Sequence, residues 1–182
     1  RAAAAHFAGR AGRLVMVSSA DVYLAYGRLT KREPGPVEPT PLTEASALRT
    51  IMFPYRGYEE ILGAWAHDYE KILAEQAIRA VTDLDWTILR LPKVYGPEDN
   101  SDLSTVYGFR ANPEWRWTHG HVANVAAAIA LAALHPAARC SIFNVGEANT
   151  PTMGERLSWL PKRQPSEAIP PPFEYQQQYA VK

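Results

Sequence analysis

His67 and Lys71 stand four residues apart in AHDYEKILAEQA (66–77), and Asp21 follows Ser19 by two in VMVSSADVY (15–23). On a continuous helix, residues four apart share a face, so an imidazole and an ammonium can converge on one substrate. Histidine's reference pKa of about 6.5 suits proton transfer, and a nearby ammonium depresses it further, favouring the neutral imidazole a base requires. The alternative for His67 is an ordinary polar position on the helix. Tyr69, two before the lysine, would be rotated by roughly 200° from it and does not simply stand in. Tyr55 and Tyr58 in FPYRGYEE (53–60) offer a third source of the acid/base. Asp21 could remove a proton from a carbon α to a carbonyl, although aspartate at a strand-to-loop turn commonly binds backbone amides instead.

These side chains need elements to hold them. RLVMVSS (13–19) is a short β-branched run ending in small polar residues, the pattern of a strand buried on both faces of a parallel sheet. The C-terminal ends of such strands are where ligands bind. From Gly27 to Gly57 the text is rich in Pro, Gly and Glu and reads as a long loop, a length typical of functional lids or disorder. Ile61, Leu62, Trp65, Tyr69, Ile72, Leu73 and Ala77, spaced by three and four, predict one long helix from about Glu59 to Val81. DWTILRLPKVYGP (85–97) predicts a second strand, and helix followed by strand implies a parallel βαβ unit. An Ala-rich helix over 121–135, a third strand in SIFNVG (141–146) and a short helix from Pro151 toward Trp159 follow. The Ala/Arg-rich opening reads as the end of a surface helix, with a transit peptide as the alternative. The tail after Pro161 has no period.

The chain has 182 residues, 47% of them apolar and 21% charged, with a formal net charge of zero. That supports one ordinary core and leaves no basic footprint for nucleic acid or an anionic membrane. No apolar run reaches the roughly 18–20 residues needed to span a bilayer. The single cysteine, Cys140, forms no internal disulfide and sits beside an apolar run, so a buried structural thiol and a reducing cytoplasm are expected.

VMVSSADVY (15–23), KILAE (71–75) and ILRLPKVYGP (88–97), in that order, resemble the extended, here atypical, short-chain dehydrogenase/reductases of the NAD-dependent epimerase/dehydratase group. HGHVANVAAAI (119–129) and FNVGE (143–147) resemble later landmarks of the same family. The resemblance implies an α/β fold, a partial Rossmann-like doubly wound parallel sheet over residues 1–97 with a small C-terminal substrate lobe over 98–182. It implies NAD or NADP as cofactor and a small-molecule substrate, possibly a nucleotide sugar. Ser19 matches the family's substrate-binding serine and Lys71 the lysine that holds the nicotinamide ribose and lowers the pKa of a catalytic tyrosine; His67 stands where that tyrosine belongs. Asp21 falls near an acidic base of the family's dehydratases. Ser18 and Leu91, Pro92 and Val94 match cofactor contacts, and Tyr23 and Arg116 substrate contacts, with Trp115 and Trp117 stacking on a base or packing in the lobe. Family members often dimerise through the helix that carries the lysine, here with Trp65 and Ile72 on the contact face.

The family's opening G-x-x-G-x-x-G turn, which cradles the cofactor pyrophosphate, does not occur in this sequence. A truncated chain that is poorly stable or self-associated by itself is the expectation, because a half sheet exposes an apolar edge. The rival reading is a catalytically degenerate dinucleotide-binding or regulatory protein.

Overall fold

A computed structural model describes residues 2–30, 32–36, 41–97, 113–114, 116 and 118–159. The elements in chain order are α1 (Ala2–Phe7), β1 (Leu14–Ser19), a 3-10 turn (Ala20–Val22), α2 (Leu24–Leu29), α3 (Glu59–Leu62), a second 3-10 turn (Ala64–Ala66) and α4 (Lys71–Arg79). There follow β2 (Trp86–Leu91), β3 (Lys93–Tyr95), β4 (His119–His121), α5 (Val122–Leu134), a third 3-10 turn (Pro136–Ala138), β5 (Ser141–Asn144) and α6 (Met153–Trp159). Three parallel strands pair in the order β1-β2-β5, and β3 and β4 form a separate parallel pair. This is the expected α/β architecture with a parallel sheet.

Alternation along the strands decides which side chain meets which helix. Ser18 lies opposite Arg90 in the β1–β2 register, and both side chains reach Glu75 on α4. Thr87, one pleat over, donates to the Ala132 and Ala138 carbonyls at and beyond the end of α5. The two helices therefore cover opposite faces. Since β1-to-β2 and β2-to-β5 advance in the same direction across the sheet, their connections through α4 and α5 are of opposite hand, a departure from the usual right-handed rule. Ile88 and Leu89 in the central strand are 0% and 2% exposed, each burial contributing about 1.5–3 kcal/mol. Val22, Tyr23, Ala25 and Ile72 make the cluster that joins the first turn after β1 to α4.

Several expectations change. The predicted helix over 59–81 is broken: α3 ends at Gly63, whose φ of 95° suits a residue without Cβ, and α4 begins only at Lys71. Glu70 is the N-cap, extended at φ −153°, and its carboxylate accepts from the Ile72 N–H at 2.9 Å and the Phe53 N–H at 2.6 Å. The contact face proposed for a dimer dissolves with it, because Ile72 is 2% exposed in the core while Trp65, 54% exposed, sits in the 3-10 turn. The strand predicted over 85–97 splits at Pro92, which has no N–H to extend the ladder; β3 then pairs with β4 instead of with the main sheet. Gly27, expected at the start of a loop, lies in α2. Cys140 is exposed, not buried, and occupies a turn with φ 49°. α1 is the surface helix expected at the opening, with exposed residues over 5–7.

Within the Gly27–Gly57 stretch read as a long loop, a lid or disorder, the segment over 41–57 is pinned down by charge. Arg49 is 3% exposed; it donates to the Asp21 carbonyl at 3.0 Å and grips the Glu70 carboxylate at 2.8 and 3.0 Å. Glu33 accepts from the Thr50 and Ile51 N–H groups at 2.5 and 2.7 Å. Among the described strands β1 has one neighbour, and its Val17 is 44% exposed, as an uncovered edge predicts. No helix among the described residues is long and apolar enough to cross a membrane. The C-terminal tail and the indoles of Trp115 and Trp117 lie outside the described residues.

Candidate active site

The C-terminal end of β1 delivers Ser19 and, one turn on, Asp21. Ser19 caps the 3-10 turn, its Oγ accepting from the Asp21 N–H at 3.2 Å. Asp21 is 5% exposed. Its Oδ2 accepts from the Tyr55 hydroxyl at 2.9 Å, while Oδ1 is buried and has no hydrogen-bond partner among the described residues. Burial pushes the Asp21 carboxyl above its ordinary pKa; the Tyr69 and Tyr55 hydroxyls, the Arg49 guanidinium and Ser19 offset only part of that.

Tyr69 is the residue that sequence reasoning set aside. Because α4 starts at Lys71, Tyr69 precedes the helix and is free of the rotation a continuous helix would impose. Its hydroxyl faces both Asp21 and Ser19, without reaching good hydrogen-bond geometry to Oδ1. Its ring packs edge-on against Tyr55 at 5.0 Å and Trp65 at 5.4 Å between centroids. Burial, and then the Asp21 charge, push the Tyr69 hydroxyl well above the usual tyrosine range. It is thereby held as a neutral donor beside a carboxyl that titrates late. The Lys71 ammonium lies 5.5 Å from the Tyr69 ring centroid and 3.5 Å from the Val17 carbonyl.

His67 is not in this group. It lies outside α4, its side chain is 58% exposed, and its Nδ1 pairs with Glu59 Oε1 at 2.9 Å. The argument from four-residue spacing fails with the helix that carried it. Ser18 also turns away: its hydroxyl donates to Glu75 at 2.6 Å, inside the core. Gly63 is the one sequence signal for the break that releases Tyr69, since glycine commonly follows a helix end, but the apolar spacing continues across it.

Beside this group a cleft of about 810 Å³ opens at the C-terminal ends of β1, β2 and β5. Tyr23, Pro92 and Arg116 line it, together with Tyr26, Arg90 and Asn144. The Tyr23 hydroxyl is already engaged, donating to Asn144 Oδ1 at 2.6 Å and accepting from Arg90 at 2.9 Å. Arg116 is exposed and donates to the Thr150 carbonyl. Leu91 ends β2 opposite Ser19, and Val94 pairs with Gly120.

No family profile and no curated protein matches this sequence. Solved structures do. A short-chain dehydrogenase/reductase superfamily protein from Agrobacterium tumefaciens with bound NAD superposes with a TM-score of 0.55 at 19% identity, covering 80% of this chain and 51% of its own. The fold is Rossmann-like. The UDP-glucose 4-epimerase of Thermotoga maritima, solved with UDP-glucose, gives 0.52 at 19% identity over 80% of this chain and 45% of its own. The dTDP-glucose 4,6-dehydratase of Bacillus anthracis, in complex with NAD, gives 0.52 at 18% over 80% and 44%. The chain spans about half the length of these structures.

Proposed function

We propose that this chain carries the reaction centre of an NAD(P)-dependent enzyme of the epimerase/dehydratase type, acting on a hydroxylated small molecule such as a nucleotide sugar. The observation that carries the reading is the convergence of Ser19, Asp21 and Tyr69 at the end of β1, with Lys71 alongside and the cleft next to them. The structural neighbours solved with NAD and with UDP-glucose support the same class.

The residues present fit one end of the cofactor. Lys71 and the strand end at Leu91 and Pro92 would hold the nicotinamide riboside, while the sequence supplies no glycine-rich turn for the pyrophosphate. Bound NAD(P) would accept or return a hydride. This chain's part is proton handling: Asp21 takes or returns a proton, and Ser19 and the neutral Tyr69 hydroxyl, which face it, hold its carboxyl in place. Arg116 and Pro92 on the cleft wall bind the rest of the substrate. Homodimerisation and a cytoplasmic setting add nothing to this chemistry.

The height of the Tyr69 pKa favours a second reading, a dinucleotide-binding protein without turnover, since a tyrosinate base needs the opposite shift. The test follows product. The protein as expressed in its natural source is mixed with NAD+ or NADP+ and UDP-glucose, and conversion of the nucleotide sugar is followed by chromatography. Turnover that falls in Lys71→Ala supports the enzyme; binding of the dinucleotide with no turnover supports the second reading and sinks the first.

A further inference from the structure

Asp21 is sealed from solvent, yet a line of hydroxyls leads from it to the cleft. Tyr55 Oη is 2.9 Å from Asp21 Oδ2 and 3.4 Å from Tyr26 Oη, and Tyr26 is a half-buried residue of the cleft wall. The three residues come from the turn after β1, from the lid segment and from α2. We propose that Asp21, Tyr55 and Tyr26 form a proton relay that connects a buried carboxyl to an oxygen-bearing ligand in the cleft, with Tyr26 as the residue that touches the ligand. The relay rests on the proposed function for the identity of that ligand, a hydroxylated or carbonyl compound whose oxygen gains or loses a proton.

The proton count balances. The Asp21 carboxyl gives its proton to Tyr55 Oη, Tyr55 passes its own to Tyr26 Oη, and Tyr26 passes its own to the substrate oxygen. Three O–H bonds break and three form, Asp21 ends as carboxylate, and nothing is oxidised or reduced. A hydroxyl both donates and accepts, so Tyr55 serves either direction by rotating one bond. The Tyr55–Tyr26 separation is long for an O–H···O bond and shortens on ligand binding, as catalytic contacts commonly do. The unpartnered, buried Asp21 Oδ1 disfavours the carboxylate and keeps the carboxyl protonated until the relay offers the proton a way out. The other groups facing Asp21 are Arg49 from the lid, Tyr69 from the segment before α4, and Ser19. None of these three lines the cleft.

The experiment needs neither cofactor nor substrate. The 182-residue chain is labelled with 13C at aspartate carboxyls, the Asp21 resonance is assigned by its loss in Asp21→Asn, and its titration midpoint is measured in wild type, Tyr55→Phe and Tyr26→Phe. Both phenylalanine variants keep the ring and remove only the hydroxyl. The relay predicts that each raises the Asp21 midpoint, Tyr26→Phe by on the order of half a unit, a fraction of the effect of a full charge partner. A midpoint unchanged in Tyr26→Phe overturns the relay, whether or not Tyr55→Phe folds. Coupling found in a protein that shows no turnover with UDP-glucose supports the relay and counts against the proposed reaction.

Discussion

Arg90 and Glu75 meet as a buried fork, Nη2 standing 2.8 Å from Oε2 and Nε 3.1 Å from Oε1, with side chains 2% and 3% exposed. The Ser18 hydroxyl donates to Glu75, and Arg90 Nη1 donates to the Tyr23 hydroxyl and the Glu44 carbonyl, so β1, β2, β5 and α4 share one network through Asn144. Removing one partner leaves an uncompensated charge in the core. Arg90→Met is expected to cost about 3–5 kcal/mol, and Arg90→Met with Glu75→Leu considerably less. Urea unfolding of the two variants at neutral pH measures this, and equal losses would refute it.

Asp21 sets a pH signature. Its folded pKa is raised above the ordinary 3.8, so the stability it contributes is fully present below that value and is lost as pH rises through the folded pKa. Wild type should therefore gain stability relative to Asp21→Asn as pH falls from neutral toward 3.8. Thermal melts of both proteins across that window check the sign; a difference that stays flat would contradict it.

Tyr69 and His67 separate cleanly by mutation. On the proposed function, Tyr69→Phe lowers kcat by about 10²–10⁴-fold, whereas His67→Ala leaves kcat near wild type because its exposed imidazole pairs with Glu59, away from Asp21. The rate of UDP-glucose conversion, followed by chromatography, reads both. The reverse ranking would restore His67 as the acid/base.

Cys140 is exposed at the turn into β5. An aromatic disulfide reagent should label it in the folded protein about as fast as in denaturant. Strong protection in the folded state would show that the turn is covered.

Much of the sheet could be read from the text, because its strands are β-branched runs with sharp ends. The run at 13–19 and the one beginning at 85 lie where expected, and the Ala-rich helix runs over 122–134. The break between α3 and α4 was hidden because Ile61, Trp65, Ile72 and Leu73 keep helical spacing across a gap that is not helical. Periodicity registers apolar residues that point inward, and an irregular segment packed on the same core produces the same spacing. Ser19, Asp21 and Lys71 could be singled out from motif order. Tyr55 enters as one of two tyrosines from the loop, and Tyr69 is passed over, since its place depends on where a helix begins.

Glu70 has consequences for anyone who would redesign this region. One carboxylate caps α4, accepts the Phe53 N–H and holds both terminal nitrogens of Arg49, which itself grips the backbone at Asp21. Transplanting the 41–58 segment from another protein to alter selectivity therefore cannot be a modular exchange. A graft that omits an arginine at 49 strands the acid at 70, and a change at 70 lets go of the graft and the start of the lysine-bearing helix together.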